Sequence, residues 1–252
     1  MTGMQQESVN GNGFLKASKC CGDGTNGSIP VPIDPEAVWQ ALSGVPGTGV
    51  CVVGTDGNCV YSSPESKRIY TGDENFDSKG KTIYDLFPKE WADERIGFIR
   101  QVVETRKPLA VRQVWRGSQI CMVMRPIFDA EERVSHILVL SRPMEAMEAM
   151  ERCSEDQSVA ESEFIELGEL NVLTPRELVV LALLGQGLTL KEIAERLHRS
   201  FKTIDNHRAS IGRKLRKTDR LALAKLAAQA GLRVRDAELK RITPKVGQSE
   251  RA

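Results

Sequence analysis

Apolar positions recur at helical spacing between residues 170 and 235. One helix follows from a nearly unbroken apolar run at residues 178–184, and a second from the i, i+3, i+4, i+7 spacing of Leu190, Ile193, Ala194 and Leu197. A third helix is predicted over residues 200–215, where three apolar residues fall within about 20° of one axis at about 100° per residue: Ile204, Ile211 and Leu215. Two short helices, a tight connection and a longer helix are the pattern of a helix-turn-helix.

Capping residues mark where these helices begin. Thr174 with Glu177, and Thr189 with Glu192, each have the spacing of a capping box. Pro at position 175 suits the first helical turn, and Ser at position 200 suits an N-cap. The helix starts are therefore specified by local sequence.

The third predicted helix presents two unlike faces. Its apolar face, flanked by Phe201 and by a structural His207, should pack on the two preceding helices, and Arg208 beside it is expected to pair with Glu177 or Glu192. The opposite face suits a DNA major groove, where Lys and Asn hydrogen-bond base edges and a small Ala permits close approach. The base-facing candidates are Lys202, Thr203, Asp205, Asn206, Ala209 and Arg213. Asp205 is ambiguous, because it repels phosphate yet could accept from a cytosine amine or favour the helix N-terminus.

Basic residues cluster at and beyond the end of this helix, where phosphates would run. Free N–H groups at the start of the preceding helix offer further phosphate contacts. The predicted phosphate contacts are Thr189, Lys191, Arg199, Ser200, Lys214, Arg216, Lys217 and Arg220. A basic stripe alone is usually a solvated face, but on the third helix of a doubly capped helix-turn-helix it favours double-stranded DNA as the partner.

The segment LTPRELVVLALLGQGLTLKEIAERLHRSFKTIDNHRASIGRKL closely resembles the DNA-binding domain of LuxR-type regulators. LTPRE, KEIAERL, the S-x-x-T-I-x-x-H run at 200–207 and the Lys-Leu pair at 214–215 carry the resemblance. It implies that the third helix enters the major groove, as a homodimer on a two-fold site. Two departures from the family are Asp205, where many members carry Lys, and Arg216, where a Gly commonly follows.

The next segment, TDRLALAKLAAQAGL, matches the fourth helix of that family, which its members use to dimerise. The resemblance implies dimerisation through Leu221, Ala224, Lys225 and Ala228. RNA polymerase is a further candidate partner of a regulator of this kind.

Strand-like runs and one longer helix fill residues 34–142. GVCVVGTDGNCVYSS contains two short β-rich runs around Asp56-Gly57, a strong hairpin signal. A helix is predicted from Lys89, followed by the strand-like runs LAVRQVW, SQICMVMRPIF and RVSHILVL. A further short helix is expected to begin at Asp34-Pro35. This order predicts an α+β domain with an antiparallel sheet.

The same stretch resembles a PAS domain over roughly residues 36–142, in its DG hairpin, YSSPES, GKTIYDLFP and RPIFDAEERV. The resemblance implies a five-stranded antiparallel sheet with short helices around a small cavity that can hold a ligand. It also implies a dimer interface in many cases. We identify no cofactor: Cys59 stands in the hairpin and not at the flavin-photosensor position, and His136 is interpreted as a sheet residue and not as a haem ligand. An unknown small ligand is the remaining candidate.

Composition and the two resemblances together divide the chain into five parts. Residues 1–33, rich in Gly, Asn and Ser, are predicted to be a disordered tail with reduced thiols at Cys20 and Cys21. We expect a PAS-like sensor at 34–142, an acidic linker with a short helix at 143–169, the helix-turn-helix domain at 170–235 and a flexible tail at 236–252.

Charge is distributed unevenly along a chain whose formal net charge is +1. Residues 144–169 carry nine acidic and one basic side chain, a net of −8, whereas residues 170–235 carry fourteen basic and five acidic ones, a net of +9. The basic block indicates an anionic partner, nucleic acid first. One hypothesis is that the acidic stretch masks the basic block through Glu161, Glu163, Glu166 and Glu169; an acidic linker that is merely solvated is the alternative.

Other function classes are less consistent with the sequence. No metal-ligand cluster, P-loop or nucleophile motif is present, so no catalytic or metal-binding residue is predicted. A sigma-factor-like promoter subunit would need an upstream helical region where this chain is β-rich. A PAS domain serving only for protein interaction stays open. The longest apolar run is too short for a membrane span and no signal-peptide pattern is present, so we expect a cytoplasmic protein.

Overall fold

The computed structural model of the chain describes residues 39–41, 43–143, 158–217 and 219–244. Its elements are β1 (Gly49–Gly54), β2 (Cys59–Ser62), α1 (Pro64–Thr71), α2 (Ile83–Leu86), α3 (Lys89–Thr105), β3 (Leu109–Trp115), β4 (Ser118–Phe128), β5 (Val134–Pro143), β6 (Ser158–Ile165), α4 (Pro175–Gly185), α5 (Leu190–Arg196), α6 (Phe201–Leu215), α7 (Arg220–Ala230) and β7 (Lys240–Arg241). Two 3-10 helices lie at Gly168–Val172 and Val234–Glu238.

Several predictions fall on residues outside the described part of the chain. They are the tail at 1–33 with Cys20 and Cys21, the helix start at Asp34-Pro35, the linker helix beyond Pro143, and the end of the tail at 245–252. Within the described part, no helix is long and apolar enough to cross a membrane.

The sheet contains the hairpin and the three strands predicted for the first domain. β1 and β2 pair antiparallel, with Val52 opposite Tyr61, and Gly57 of the predicted turn adopts a φ of +85°. The strand order is β2-β1-β5-β4-β3-β6-β7, and the pairs β1–β5, β4–β5 and β3–β4 are also antiparallel. The predicted α+β class is confirmed, with seven strands in the described sheet where five were expected.

Part of the predicted acidic linker is a strand. β6 runs parallel to β3, with Ala160 opposite Val111, because small or apolar residues alternate with charged ones along SVAESEFI. Ser162 and Phe164 are buried on one face, whereas Glu163 is exposed between them. The high count of acidic residues in this stretch had concealed a period-two pattern, so the expectation of a linker throughout 143–169 was wrong for residues 158–165.

The start of the predicted flexible tail is also ordered. Residues 234–238 form a 3-10 helix in which Asp236 is only 1% exposed, and β7 then pairs parallel with β6. Asp236 is held there by Arg112, which is distant in the sequence, so no local sequence pattern predicts this contact.

The helical part shares its hydrophobic core with the sheet. Val114 of β3 and Ile165 of β6 belong to the same buried cluster as Leu181, Leu183 and Leu232 of the helical part. Two further clusters lie beneath α3 and around Trp115, within the first domain. The first domain therefore packs directly against the helix-turn-helix.

A buried ion pair joins the two domains. Arg112 of β3 donates through Nη1 and Nη2 to Asp236, at 3.0 and 2.8 Å, and through Nη2 to the Gly231 carbonyl at 2.8 Å. Its Nε donates to Gln119 at 3.0 Å. Gly231 is required here, since its φ is +58° and a Cβ would come within 2.6 Å of the Gln119 side chain.

We predict that Asp236→Asn lowers the free energy of unfolding by about 3 kcal/mol or more, because it leaves the Arg112 guanidinium buried without its counter-charge. Urea denaturation followed by circular dichroism measures this loss. The matched control is Asp93→Asn, which removes an exposed pair with Lys89 at 2.7 Å and should barely move the urea midpoint. Equal effects of the two substitutions would contradict a stabilising role for the buried pair.

Candidate nucleic-acid interface

Two capped helices form the frame of the candidate interface. The predicted capping boxes are confirmed: Thr174 and Glu177 exchange hydrogen bonds at the start of α4, as do Thr189 and Glu192 at the start of α5. α4 is buried along most of its length, as its apolar composition predicted.

A tight turn sets the direction of the third helix. His198 follows α5 with a φ of +50°, and Ser200 is the N-cap of α6, accepting from the Thr203 N–H at 3.1 Å. Ile204 and Ile211 are fully buried, which confirms the predicted packing face of α6. Phe201, expected to flank that face, is 55% exposed because it precedes the first buried turn of the helix.

The outward face of α6 carries the predicted base-facing residues. Lys202, Asn206, Ala209 and Arg213 are exposed. Thr203 and Asp205 are half-buried. The helix thus holds a polar, partly basic surface clear of the rest of the described chain.

Asp205 and Arg208 pair with each other on α6, with Arg208 Nη2 3.1 Å from the Asp205 carboxylate. The expectation that Arg208 would pair with Glu177 or Glu192 was wrong, because a partner three residues away on the same helix is nearer. This ion pair partly neutralises the Asp205 carboxylate, so the carboxylate repels an approaching phosphate less.

Glu177 instead holds the end of the recognition helix. It accepts from Ser210 Oγ at 2.7 Å and from Lys214 Nζ at 2.6 Å, besides its capping contacts with Thr174. Burial raises the pKa of Glu177, but the hydrogen bonds from Lys214, Thr174 and Ser210 outweigh it and bring the pKa to about 2. A single carboxylate therefore fixes the start of α4 and the last turns of α6.

The predicted phosphate contacts have different surroundings. Six of them are exposed: Thr189, Lys191, Arg199, Ser200, Lys214 and Arg216. Lys214 is held by Glu177, and Lys217 Nζ lies 3.9 Å from Glu169. Arg216 adopts a φ of +53° where α6 ends, the conformation for which a Gly is favoured. The side chain of Arg220 lies outside the described part.

Three of the four acidic residues proposed to mask the basic block make contacts away from α6. Glu161 pairs with Arg233 and Arg235, and Glu163 lies 3.9 Å from Lys240. Glu166 accepts from the backbone N–H of Arg116 at 2.6 Å, and the exposed face of α6 is not among these contacts. Glu161, Glu163 and Glu166 therefore leave the α6 face open, although Arg233 and Arg235 belong to the basic block. Glu169, 3.9 Å from Lys217, does approach a predicted phosphate contact.

The fourth helix leaves one side free. Leu223, Ala227 and Ala230 are buried against the rest of the chain. The residues implied in dimerisation lie elsewhere on α7: Leu221, Lys225 and Ala228 are exposed and Ala224 is half-buried. This arrangement makes the predicted surface available to a second copy.

A second candidate site is a cavity of about 110 Å³ in the first domain, between the sheet and α1–α3. Its lining is mostly apolar and includes Cys51, Cys59, Tyr70, Trp91, Arg95 and Met122. His136, considered as a haem ligand, is not among its lining residues; its Nδ1 lies 3.1 Å from Ser135 Oγ. Sequence reasoning did not single out Arg95, although a charged residue on the apolar face of α3 was a signal that could have found it.

We predict that Glu177→Gln lowers stability at pH 7 and reduces the dependence of stability on pH between about 4.5 and about 2. The pKa of Glu177 lies below its ordinary value of 4.5, so its contribution is complete above that pH and is lost as the pH falls toward about 2. Thermal unfolding across this range measures the effect, and Glu195→Gln, at an exposed position of α5, is the control. A variant with the pH dependence of the wild type would contradict the assigned pKa.

Comparison with known proteins agrees with both domains. Residues 171–227 match the model of bacterial regulatory proteins of the luxR family, and residues 47–149 match the PAS fold. The transcriptional regulatory protein LnrK of Bacillus subtilis (strain 168) is 46% identical over 66 residues, which cover 26% of this chain and 30% of LnrK. The chain thus matches less than a third of the length of this relative.

Solved structures include similar proteins from Vibrio cholerae. VqmA in complex with ligand and DNA is 17% identical with a TM-score of 0.46, covering 84% of this chain and 95% of that chain. A sensory box sensor histidine kinase is 16% identical with a TM-score of 0.34, covering 43% of this chain and 88% of that chain. The two family matches confirm the resemblances found in the sequence, and the chain therefore combines a PAS-fold domain with a domain of the bacterial luxR regulatory family.

Proposed function

We propose that this chain is a one-component, sequence-specific DNA-binding transcription regulator. The observation that carries the proposal is the exposed polar face of α6, which stands on a buried, doubly capped helix-turn-helix frame. A helix of this kind fits the major groove, where it can reach base edges. The match of residues 171–227 to the luxR family supports it.

Within this proposal, base recognition belongs to the outward residues of α6. Asn206 suits adenine, Arg213 and Lys202 suit guanine, and Ala209 can touch a thymine methyl. Thr203 and Asp205 complete the proposed base-facing set. Thr189, Lys191, Arg199, Ser200, Lys214, Arg216, Lys217 and Arg220 are proposed as phosphate contacts; Lys214 and Lys217 would exchange a carboxylate for a phosphate.

The proposed regulator acts as a homodimer on a two-fold DNA site, with α7 as its contact. Exposed Leu221 on the free side of α7 supports this assignment. RNA polymerase is proposed as a further partner, since a regulator must affect transcription. No membrane is involved, and we propose a cytoplasmic location, where the DNA of a bacterium lies.

We propose that the PAS-fold domain senses a signal and passes it to the DNA-binding domain. Supporting this, the Arg112–Asp236 pair and the shared core couple the two domains mechanically. The domain limits we propose are those predicted from the sequence, except that residues 158–165 and 240–241 join the sheet and residues 236–238 join the helical part.

Other readings are less well supported. A PAS-fold domain used only for protein interaction would leave its cavity without a role, and a sigma-factor-like subunit would need a helical region where the sheet stands. Among the described residues, no group of three or more His, Cys, Asp or Glu could hold a metal. We propose no enzymatic activity.

We predict that selection from random duplexes with the full-length chain enriches a two-fold motif. Asn206→Ala and Arg213→Ala should each weaken binding to that motif by about 5- to 100-fold, the range of a lost base contact. Arg125→Ala, at an exposed position on the sheet, is the control and should leave affinity within about twofold, because one distant charge is screened by salt. Enrichment of no motif would contradict specific DNA binding.

We predict that Leu221→Asp weakens dimerisation, because it places a charge in the proposed α7 contact. Sedimentation of the wild type and the variant at matched concentrations measures it, and Val60→Asp, which alters an exposed residue of the sheet, is the control. Unchanged dimerisation of the Leu221 variant would exclude α7 as the interface.

A further inference from the structure

Asp205 is the one acidic residue among the six base-facing candidates of α6. At about 100° per residue it points about 60° from Lys202 and about 40° from Ala209, both of which are exposed. The first turn of α6 contains no acidic residue, and the field of a helix N-terminus falls off within that turn, so this field does not account for Asp205. Asp205 instead lies within the surface that would meet base edges.

A carboxylate on a surface that binds DNA is unfavourable unless its charge is compensated, because it repels the phosphates. Arg208, three residues further along the helix, supplies the compensation. Its Nε donates to Asp205 Oδ1 at 3.2 Å, and its Nη2 lies 3.1 Å from the same oxygen. The side chains of Asp205 and Arg208 are 33% and 29% exposed, so the pair packs against the helix and is still accessible to a partner.

This geometry leaves one carboxylate oxygen free. Both contacts with Arg208 end on Oδ1, and no residue in the described part of the chain donates a hydrogen bond to Oδ2 of Asp205. An ionised carboxylate has acceptors only, so Oδ2 requires a donor. In the major groove the donors on base edges are the N4 amine of cytosine and the N6 amine of adenine.

Cytosine suits this oxygen better than the other bases do. Adenine presents the N7 acceptor beside its N6 amine, and a carboxylate is repelled by an acceptor. Guanine presents the acceptors N7 and O6, and thymine presents the acceptor O4. The groove edge of cytosine carries the N4 amine without an acceptor on the same base, so a lone carboxylate oxygen selects cytosine.

Resting on the proposed DNA-binding function, we propose that Asp205 recognises one cytosine in each half-site of the DNA, by accepting a hydrogen bond from the N4 amine through Oδ2. Arg208 is a positioning residue. It holds Oδ1, and its charge offsets the repulsion between Asp205 and the phosphates. The pair thus determines the base at one position of the site, beyond the bases assigned to the other outward residues.

Selection from random duplexes by the full-length chain tests the assignment, with Asp205→Lys beside the wild type. Lysine donates to guanine O6 and N7, so one position of each half-site should change from cytosine to guanine while the other positions stay as they are. Glu195→Lys, at an exposed position of α5, makes the same change of charge and is the matched control. It should strengthen binding to all duplexes and leave the motif unaltered, since added charge acts on phosphates.

The role of the amine is tested on duplexes that carry the selected motif. N4-methylcytosine keeps the N–H that pairs with guanine and replaces the groove-facing N–H by a methyl group. One such base, at the assigned position of one half-site, should weaken binding of the wild type by about 5- to 100-fold, the range of a lost base contact. The same base should change the affinity of Asp205→Ala by less than about twofold, because that variant has no acceptor to lose.

Arg208→Met removes the guanidinium and keeps much of the side-chain volume. It should reduce the preference for cytosine at the assigned position and leave the preferences elsewhere in the motif intact, a split that a general loss of structure would not give. Arg208→Lys keeps the charge and should retain more of the preference than Arg208→Met. Equal preference in the wild type and both variants would overturn the positioning role. If an Arg208 variant does not fold, the Asp205 measurements still decide the cytosine contact.

Failure of this inference can be separated from failure of the proposed function. A wild-type chain that enriches no motif overturns the regulator. A motif that keeps all its bases in Asp205→Lys, or that changes equally in Glu195→Lys, overturns the cytosine contact alone. Guanine in the wild type at the position that Asp205→Lys alters would mean that Arg208 makes the base contact, and would also overturn the inference.

Discussion

The buried ion pair between Arg112 and Asp236 is the constraint on which the arrangement of the two domains depends. A charge with 7% exposure on the central part of a sheet is tolerable only with a counter-charge and further acceptors nearby, and the residues after α7 supply both. Because the pair also closes the core shared by β3 and α4, the first domain and the helix-turn-helix are packed as one body in this structure. The sheet is therefore in direct contact with the frame that supports α6.

A second carboxylate, Glu177, organises the interface itself. It caps α4 and binds the end of α6, so two of the three helices of the motif are aligned through one buried side chain. The outward face of α6 remains free because the charges that could cover it are paired elsewhere, Asp205 with Arg208 and Glu161 with Arg233. The molecule thus uses ion pairs mainly to position elements and leaves its recognition surface exposed.

A continuous series of contacts connects the cavity of the first domain to the helix-turn-helix. Arg95 reaches Ser162 of β6, β6 pairs with β3, and Arg112 of β3 holds Asp236 beyond α7. Packed elements of this kind carry a change between distant sites when they have two arrangements.

Local signals in the sequence determined the helices, the hairpin and the two faces of α6. Capping boxes, the DG turn and apolar spacing act within a few residues, so Thr174, Gly57 and Ile204 could be interpreted without tertiary information. Only the tertiary structure decided the roles of Arg95, Arg112, Asp236 and β6, because each depends on a partner more than a dozen residues away. From composition alone, residues 158–165 were predicted to belong to a linker and residues 236–241 to a flexible tail. Pairing of β6 with the edge of β3 and the buried charge of Arg112 give these stretches their place in the fold.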